Sequence, residues 1–268
     1  LWKGGGRKNG ARRRRAACGR RAEWDVFMQS GLYVSLSGQV ALQRRLETIA
    51  SNVANMNTVG YRADGVTFAT ELARAGDSQV AFASAGPDFI SRENGPLSKT
   101  DNPLDVAVQG DGWFAIQTPN GVAYTRDGRM RISETGALQT VNGFQVLDAG
   151  GAPIALDANA GPPTISADGM ITQDSKQISA IGLFSIPNDA RLTRTVNSGV
   201  IPNKPATPIL DFTQNGVIQG TVEGSNVNPI LEMSKLISVT RSFDSISNAM
   251  AQSESSLQDA IKTLGSST

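Results

Sequence analysis

Nine positions near the C-terminus, Leu236, Val239, Phe243, Ile246, Met250, Ser253, Leu257, Ala260 and Leu264, follow one another by alternate steps of three and four. That spacing puts them on one face of a helix at 3.5 residues per turn, the repeat of a coiled coil. Most of the intervening residues are Ser, Gln, Asn or charged. A helix of this kind cannot bury its apolar row alone, so the chain must supply a second surface or find one elsewhere. Its start is also legible: Ser225 or Asn226 can cap it, and Pro229 suits a first turn, where its missing N–H costs nothing.

A second stretch of the same kind lies at the other end. From Met28 to Met56, the positions Leu32, Leu36, Gln39, Leu42, Leu46, Ile49, Val53 and Met56 again follow steps of three and four. This predicts a helix roughly 40 Å long at 1.5 Å per residue. It ends in "ASNVANMNTVGYR", where Asn57 and Thr58 compete with the helix through local side-chain bonds and Gly60 permits the reversal that stops it. Asn52, Asn55 and Asn57 lie around the row and can bond neighbouring backbone or side chains. Tyr61 and Arg62 open an extended segment.

Between Ala75 and Gly224 the pattern changes to short apolar runs cut by Asp111-Gly112, Asn120-Gly121, Asp127-Gly128, Asn142-Gly143, Asp168-Gly169 and Asn215-Gly216. Such pairs tolerate the positive φ of tight turns, and runs such as "WFAIQT" and "VAYTR" read as strands. The expected class is therefore α+β: long terminal helices forming a coiled-coil-like core, with a central all-β domain of hairpins. The expected divisions are 1–27, 28–74, 75–224 and 225–268.

Chemistry is narrowed by what is missing. The chain has no histidine and one cysteine, Cys18, which excludes Cys/His zinc sites, Cys-His nucleophiles and the Ser-His-Asp triad. Most of Asp101, Asp105, Asp111 and Asp127 sit beside glycine or at a strand edge, where a turn accounts for them, so no catalytic, metal or cofactor-binding residue is expected. Residues 1–27 hold nine of the 25 basic and two of the 24 acidic residues, a charge of +7 against −6 for the remainder. That basic stretch, directly before a methionine and a helix pattern, reads as an extension upstream of the true start or as a disordered tail. The acidic main body makes nucleic acid a poor partner. No apolar run is long enough to span a membrane or to act as a secretory signal core, so membrane insertion is not expected.

Three stretches, "ASNVANMNTVGYR", "TDNPLDVAVQGDGWFAIQTPNGVAYTRDGRMRISETGALQTVNGFQVL" and "EGSNVNPILEMSKLISVTRSFDSISNAMAQSESSLQDAI", together resemble the flagellar axial proteins of the rod and hook, in the same order. The resemblance covers nearly everything from Met28 onward, and the opening is most similar to proximal-rod members. It implies a non-enzymatic subunit of the basal-body rod, located in the periplasm and exported by the flagellar type III apparatus without a cleaved signal peptide. Other rod subunits would be its partners. A distal-rod or hook subunit is the alternative, and a periplasmic β-rich binding module a more remote one. The resemblance places the terminal segments in an inner tube. The packing residues would then be Leu32, Leu36, Leu42, Leu46, Ile49, Asn52, Val53, Asn55, Asn57 and Gly60, with Leu236, Val239, Phe243, Ile246, Met250 and Leu257.

Overall fold

The computed structural model describes residues 33–75 and 78–265. A first helix, α1 (33–54), is followed by two long strands, β1 (Asp64–Ala75) and β2 (Ser78–Ile90), which pair only with each other among the described residues. Short strands follow: β3 (Leu97–Lys99), β4 (Val106–Gln109), β5 (Trp113–Thr118), β6 (Gly121–Thr125), β7 (Met130–Ile132), β8 (Leu138–Thr140) and β9 (Gln145–Val146). Then come β10 (Thr164–Ile165), β11 (Met170–Gln173), β12 (Lys176–Ala180), β13 (Leu183–Ser185), β14 (Leu192–Arg194), β15 (Val200–Pro202), β16 (Thr207–Pro208), β17 (Gly216–Gln219) and β18 (Thr221–Glu223). The second helix, α2, runs Pro229–Gly265.

The largest sheet has the order β14-β15-β6-β5-β9-β8-β7, with β13 bridging β5 to β16. Its centre is β5, where alternation of side chains sends Phe114 and Ile116 into one apolar cluster and Trp113 and Ala115 into two others. The largest cluster also takes in Leu138, Val146, Ile171 and Leu183. At roughly 1.5–3 kcal/mol per buried large apolar side chain, this is where the β region finds its stability.

Several hairpins use the expected turn pairs: Gly143 between β8 and β9, and Gly169 between β10 and β11, both have φ above +80°. Others were not legible. Asp174 and Ser175 join β11 to β12 with φ of 49° and 64°, a two-residue turn without glycine. Conversely, Asp127-Gly128 is not a hairpin tip, since the flanking β6 and β7 do not pair; a Cβ on Gly128 would overlap the carbonyl oxygen of Val106, so that glycine serves the close approach of this connection to β4.

The described chain divides into two compact units. One comprises Thr48–Gly65 and Asp88–Ser234, and so holds β3 to β18, the last turns of α1 and the first residues of α2. The other contains Val66–Pro87, the part of α1 up to Glu47 and the part of α2 from Lys235 onward. Within it, Gln39 Nε2 donates to Ser247 Oγ at 2.8 Å, Ile246 reaches to Gly38, and the Arg45 guanidinium lies 5.6 Å from the Phe68 ring centre.

The α+β class holds, but the coiled-coil-like core of long terminal helices does not. Among the described residues α1 spans only 33–54, and the part of the expected helix before residue 33 lies outside them. The buried row of α1 is Ala41, Ile49 and Asn52, of which only Ile49 belongs to the expected apolar seam: Leu36 is about half exposed, and Leu42, Leu46 and Val53 are partly buried. On α2, of the expected row, Val239 is buried while Leu236, Phe243, Ile246, Met250 and Leu257 are half-covered. The physical reason lies in the residues at the contact: a heptad seam needs apolar knobs in facing holes, and here Gly38 offers no side chain to Ile246 while Gln39 and Ser247 meet in a hydrogen bond. The cap of α2 is Asn228, whose Oδ1 accepts from the Leu231 amide at 3.2 Å, and not Ser225 or Asn226.

Candidate functional site

The end of α1 leads into a dense polar junction within the β-containing unit. Asn52 is buried and bonds as a peptide would: its Nδ2 donates to the Asp64 carbonyl at 2.9 Å and its Oδ1 accepts from the Asp64 amide at 2.8 Å. Its Nδ2 also lies 3.4 Å from Glu232 Oε2 on the first turn of α2. An amide side chain carries a donor and an acceptor side by side, as a peptide group does, and so meets the N–H and C=O of one residue together, which explains asparagine at this buried position. Asn55 instead closes the helix, with its Nδ2 donating to the Ser51 carbonyl at 2.9 Å and its Oδ1 accepting from Thr58. Asn57 is exposed.

Tyr61 and Asp64 extend this network. The Tyr61 hydroxyl donates to Asp64 Oδ2 at 3.1 Å, and the Arg194 guanidinium stacks 4.2 Å from the Tyr61 ring centre while pairing with Asp64 Oδ1 at 2.6 Å. Burial raises the Tyr61 pKa above its ordinary value. Asn226 ties the chain leaving the sheets to the chain entering them: its Oδ1 accepts from the Ala63 amide at 2.7 Å, and its Nδ2 donates to Ser91 Oγ and the Glu93 carbonyl.

Beside it lies a buried charge knot. Glu223 accepts from Arg62 Nη2 at 2.8 Å, from Arg126 Nη1 at 2.9 Å and from the Gly95 amide at 2.9 Å, and all three charged side chains are about 1% exposed. Both guanidinium groups lie over the Trp113 ring, 5.6 and 5.3 Å from its centre. Arg62 also donates to Asn94 Oδ1 and Arg126 to the Gly110 carbonyl. Burial, with the neighbouring charge of Arg126, lowers the Arg62 pKa to about 10 against the opposing pull of Glu223. Burial lowers the Arg126 pKa too. Gly60 closes the junction: its amide donates to the Glu223 carbonyl at 2.8 Å, its φ is +68°, and a Cβ would overlap the Asp127 amide.

This arrangement has the chemistry of a clasp. A polar cavity of about 290 Å³ touches Arg92, Asp111, Trp113 and Arg126, but Arg92 donates to the carbonyls of Ile186, Pro187 and Ala190, so its guanidinium fastens a loop. Asp127 is held by Arg129 and Asp101 by Lys99. Among the described residues no group of three or more His, Cys, Asp or Glu is placed to hold a metal ion.

Of the residues picked out from the sequence, Asn52, Asn55 and Gly60 meet at this junction, with Ile49 buried on the last turns of α1. Leu36, Leu42 and Leu46 lie along α1, Leu236, Val239, Phe243, Ile246, Met250 and Leu257 along α2, and Leu32 lies outside the described residues. Sequence reasoning missed Arg62, Asn94, Arg126, Arg194, Glu223 and Asn226 as a set. Asn94 and Glu223 stand directly before a glycine, in "ENG" and "TVEG", and Arg62, Arg126 and Asn226 lie two positions from one, while Arg194 carries no such signal.

A β region closed by a polar clasp, in a chain whose two helices carry partly covered apolar rows, has the make-up of a structural protein. Matching family models run along the chain in order. Residues 32–62 match the flagella basal body rod protein family, 107–173 the flagellar hook protein FlgE/F/G D1 domain, and 218–263 the flagellar basal body rod FlgEFG protein C-terminal family. The chain belongs to the flagellar basal-body rod protein family. It is 50% identical over 239 residues, 89% of this chain and 99% of the relative, to the flagellar basal-body rod protein FlgF of Mesorhizobium japonicum. It is 48% identical over 240 residues, 90% of this chain and all of the relative, to FlgF of Rhizobium meliloti. Identity to the rod protein FlgG of Bacillus subtilis is 30% over 267 residues, 87% of this chain and 98% of that protein.

Proposed function

We propose that this chain builds the proximal part of the flagellar rod by polymerising through its terminal helices, and that torque passes through those contacts. Family membership makes it a structural subunit of the basal-body rod. The observation that carries the polymerisation reading is the incomplete cover on α2: Phe243, Ile246, Met250 and Leu257 are only half-buried within the chain, and between 251 and 263 every residue except Leu257 is exposed. Apolar rows left in this state favour contact with a neighbour.

In this reading Leu32, Leu36, Leu42, Leu46, Ile49 and Val53 act with Leu236, Val239, Phe243, Ile246, Met250 and Leu257 in packing between subunits. Asn52, Asn55, Asn57 and Gly60 set the path by which the chain leaves the helix. The partners are other rod subunits and the type III export apparatus; the location is the periplasmic rod, reached without a cleaved signal; and the role is structural, not catalytic. No helix among the described residues is long and apolar enough to cross a membrane.

Substituting Asp for Leu46 or Phe243 tests this. Basal-body incorporation and motility are expected to be lost while the β region keeps its native circular dichroism. Wild-type motility in both variants would refute assembly through the helices.

A further inference from the structure

We propose that the opening turn of α2 docks into a groove along α1 of a second copy of this chain. The proposal rests on the rod reading above and names the surfaces that meet. Three apolar side chains at the start of α2 are uncovered: Ile230 is 79% exposed, Leu231 51% and Met233 50%. The turn that carries them is firmly held, because Asn228 caps it and Glu232, between Leu231 and Met233, is buried beside Asn52. An apolar group on a fixed turn loses little freedom when it is covered.

The receiving surface is a shallow groove of about 700 Å³. Tyr33, Leu36 and Val40 form one wall, spaced by three and four along α1, with Ala41 buried beside them and Phe82 of β2 contributing. Tyr33 is 62% and Val40 58% exposed, so the groove is not filled by the described residues. The protruding turn and the groove are different surfaces, so contact between copies is head-to-tail and leaves a free turn and a free groove at the two ends. Such contacts extend a line of subunits and do not close a pair.

Area argues the same way. The uncovered parts of these six side chains come to on the order of 700 Å², below the roughly 1,200 Å² at which stable complexes begin. One contact alone does not hold two copies together in dilute solution. It holds when further contacts along a rod act at high effective concentration, so the subunit stays monomeric until it is placed.

The test uses the full chain with Cys18→Ser, carrying either Val40→Cys or Met233→Cys, the two variants being produced together in motile cells lacking the original copy. Oxidation of purified basal bodies is expected to give at least about tenfold more disulfide-linked dimer from the mixture than from either variant alone. Equal yields would overturn the docking, as would Met233→Cys linking only to a different rod protein. Ile230→Glu, at a site open to solvent, is expected to lower incorporation about tenfold with an unchanged melting temperature. Wild-type incorporation of Ile230→Glu would overturn the docking while leaving the rod reading intact. Absence of even the unsubstituted chain from basal bodies would overturn both.

Discussion

Replacing Glu223 by glutamine removes one charge and leaves the shape of the junction unchanged. Glu223 now receives two charge-assisted bonds and one backbone bond, at 2.8, 2.9 and 2.9 Å. With glutamine there, Arg62 and Arg126 remain buried over the same Trp113 ring with no carboxylate between them, and the new amide nitrogen faces a guanidinium donor. Burial and the neighbouring Arg126 charge already lower the Arg62 pKa to about 10 with Glu223 in place, so the fold holds this cation against a desolvation cost that Glu223 offsets only in part. Removing one member of a buried ion pair costs about 3–5 kcal/mol. For a unit of this size each kcal/mol moves the melting temperature about 2–4 °C, so a fall of about 6–20 °C is expected in thermal unfolding of the full chain at pH 7. Adding Asn94→Asp, whose Oδ1 position is 2.9 Å from Arg62 Nη2, should recover about 1–2 kcal/mol. A fall under about 2 °C for Glu223→Gln would refute the reasoning, because the junction would then be tolerating two unpaired buried cations.

Three further outcomes are expected. Gly60→Ala should cost at least about 2 kcal/mol in urea unfolding, since alanine at φ +68° is strained and its Cβ meets the Asp127 amide. Asn52→Leu leaves the Asp64 amide and carbonyl without their partner and should cost about 2–3 kcal/mol, against about 1 kcal/mol for Asn55→Leu; equal losses would remove Asn52 from its special place. For Tyr61 the folded-state pKa lies above 10.0, so its contribution is fully present below that value and is lost as pH rises through the folded-state pKa. Compared with Tyr61→Phe, the parent chain should therefore lose stability faster above pH 10, as measured by urea unfolding at stepped pH.

What the sequence revealed and what it hid divide along physical lines. Periodicity is local, so the two helices and turns such as Asn142-Gly143 and Asp168-Gly169 could be read directly. A spacing of 3.5 residues shows that an apolar row exists but not what covers it, and for that reason the coiled-coil expectation failed at Gly38 and Gln39. The dipeptides Asp127-Gly128 and Asn215-Gly216 misled in a different way. Gly128 is needed for close approach, and Asn215 Oδ1 accepts from the Asp111 amide, linking two segments 104 residues apart. The charge knot was invisible because Arg126 and Glu223 are 97 residues apart and no period connects them.

The hydrogen bonds from Gly60 to Glu223 and from Asn226 to Tyr61 bring the two ends of the intervening chain to a single point. Everything between them is a loop whose mouth is already shut. Lengthening or trimming a hairpin inside it changes the loop's girth without shifting its two stems. The clasp thus allows the outer form of this stretch to change while the path of the terminal segments near it stays the same.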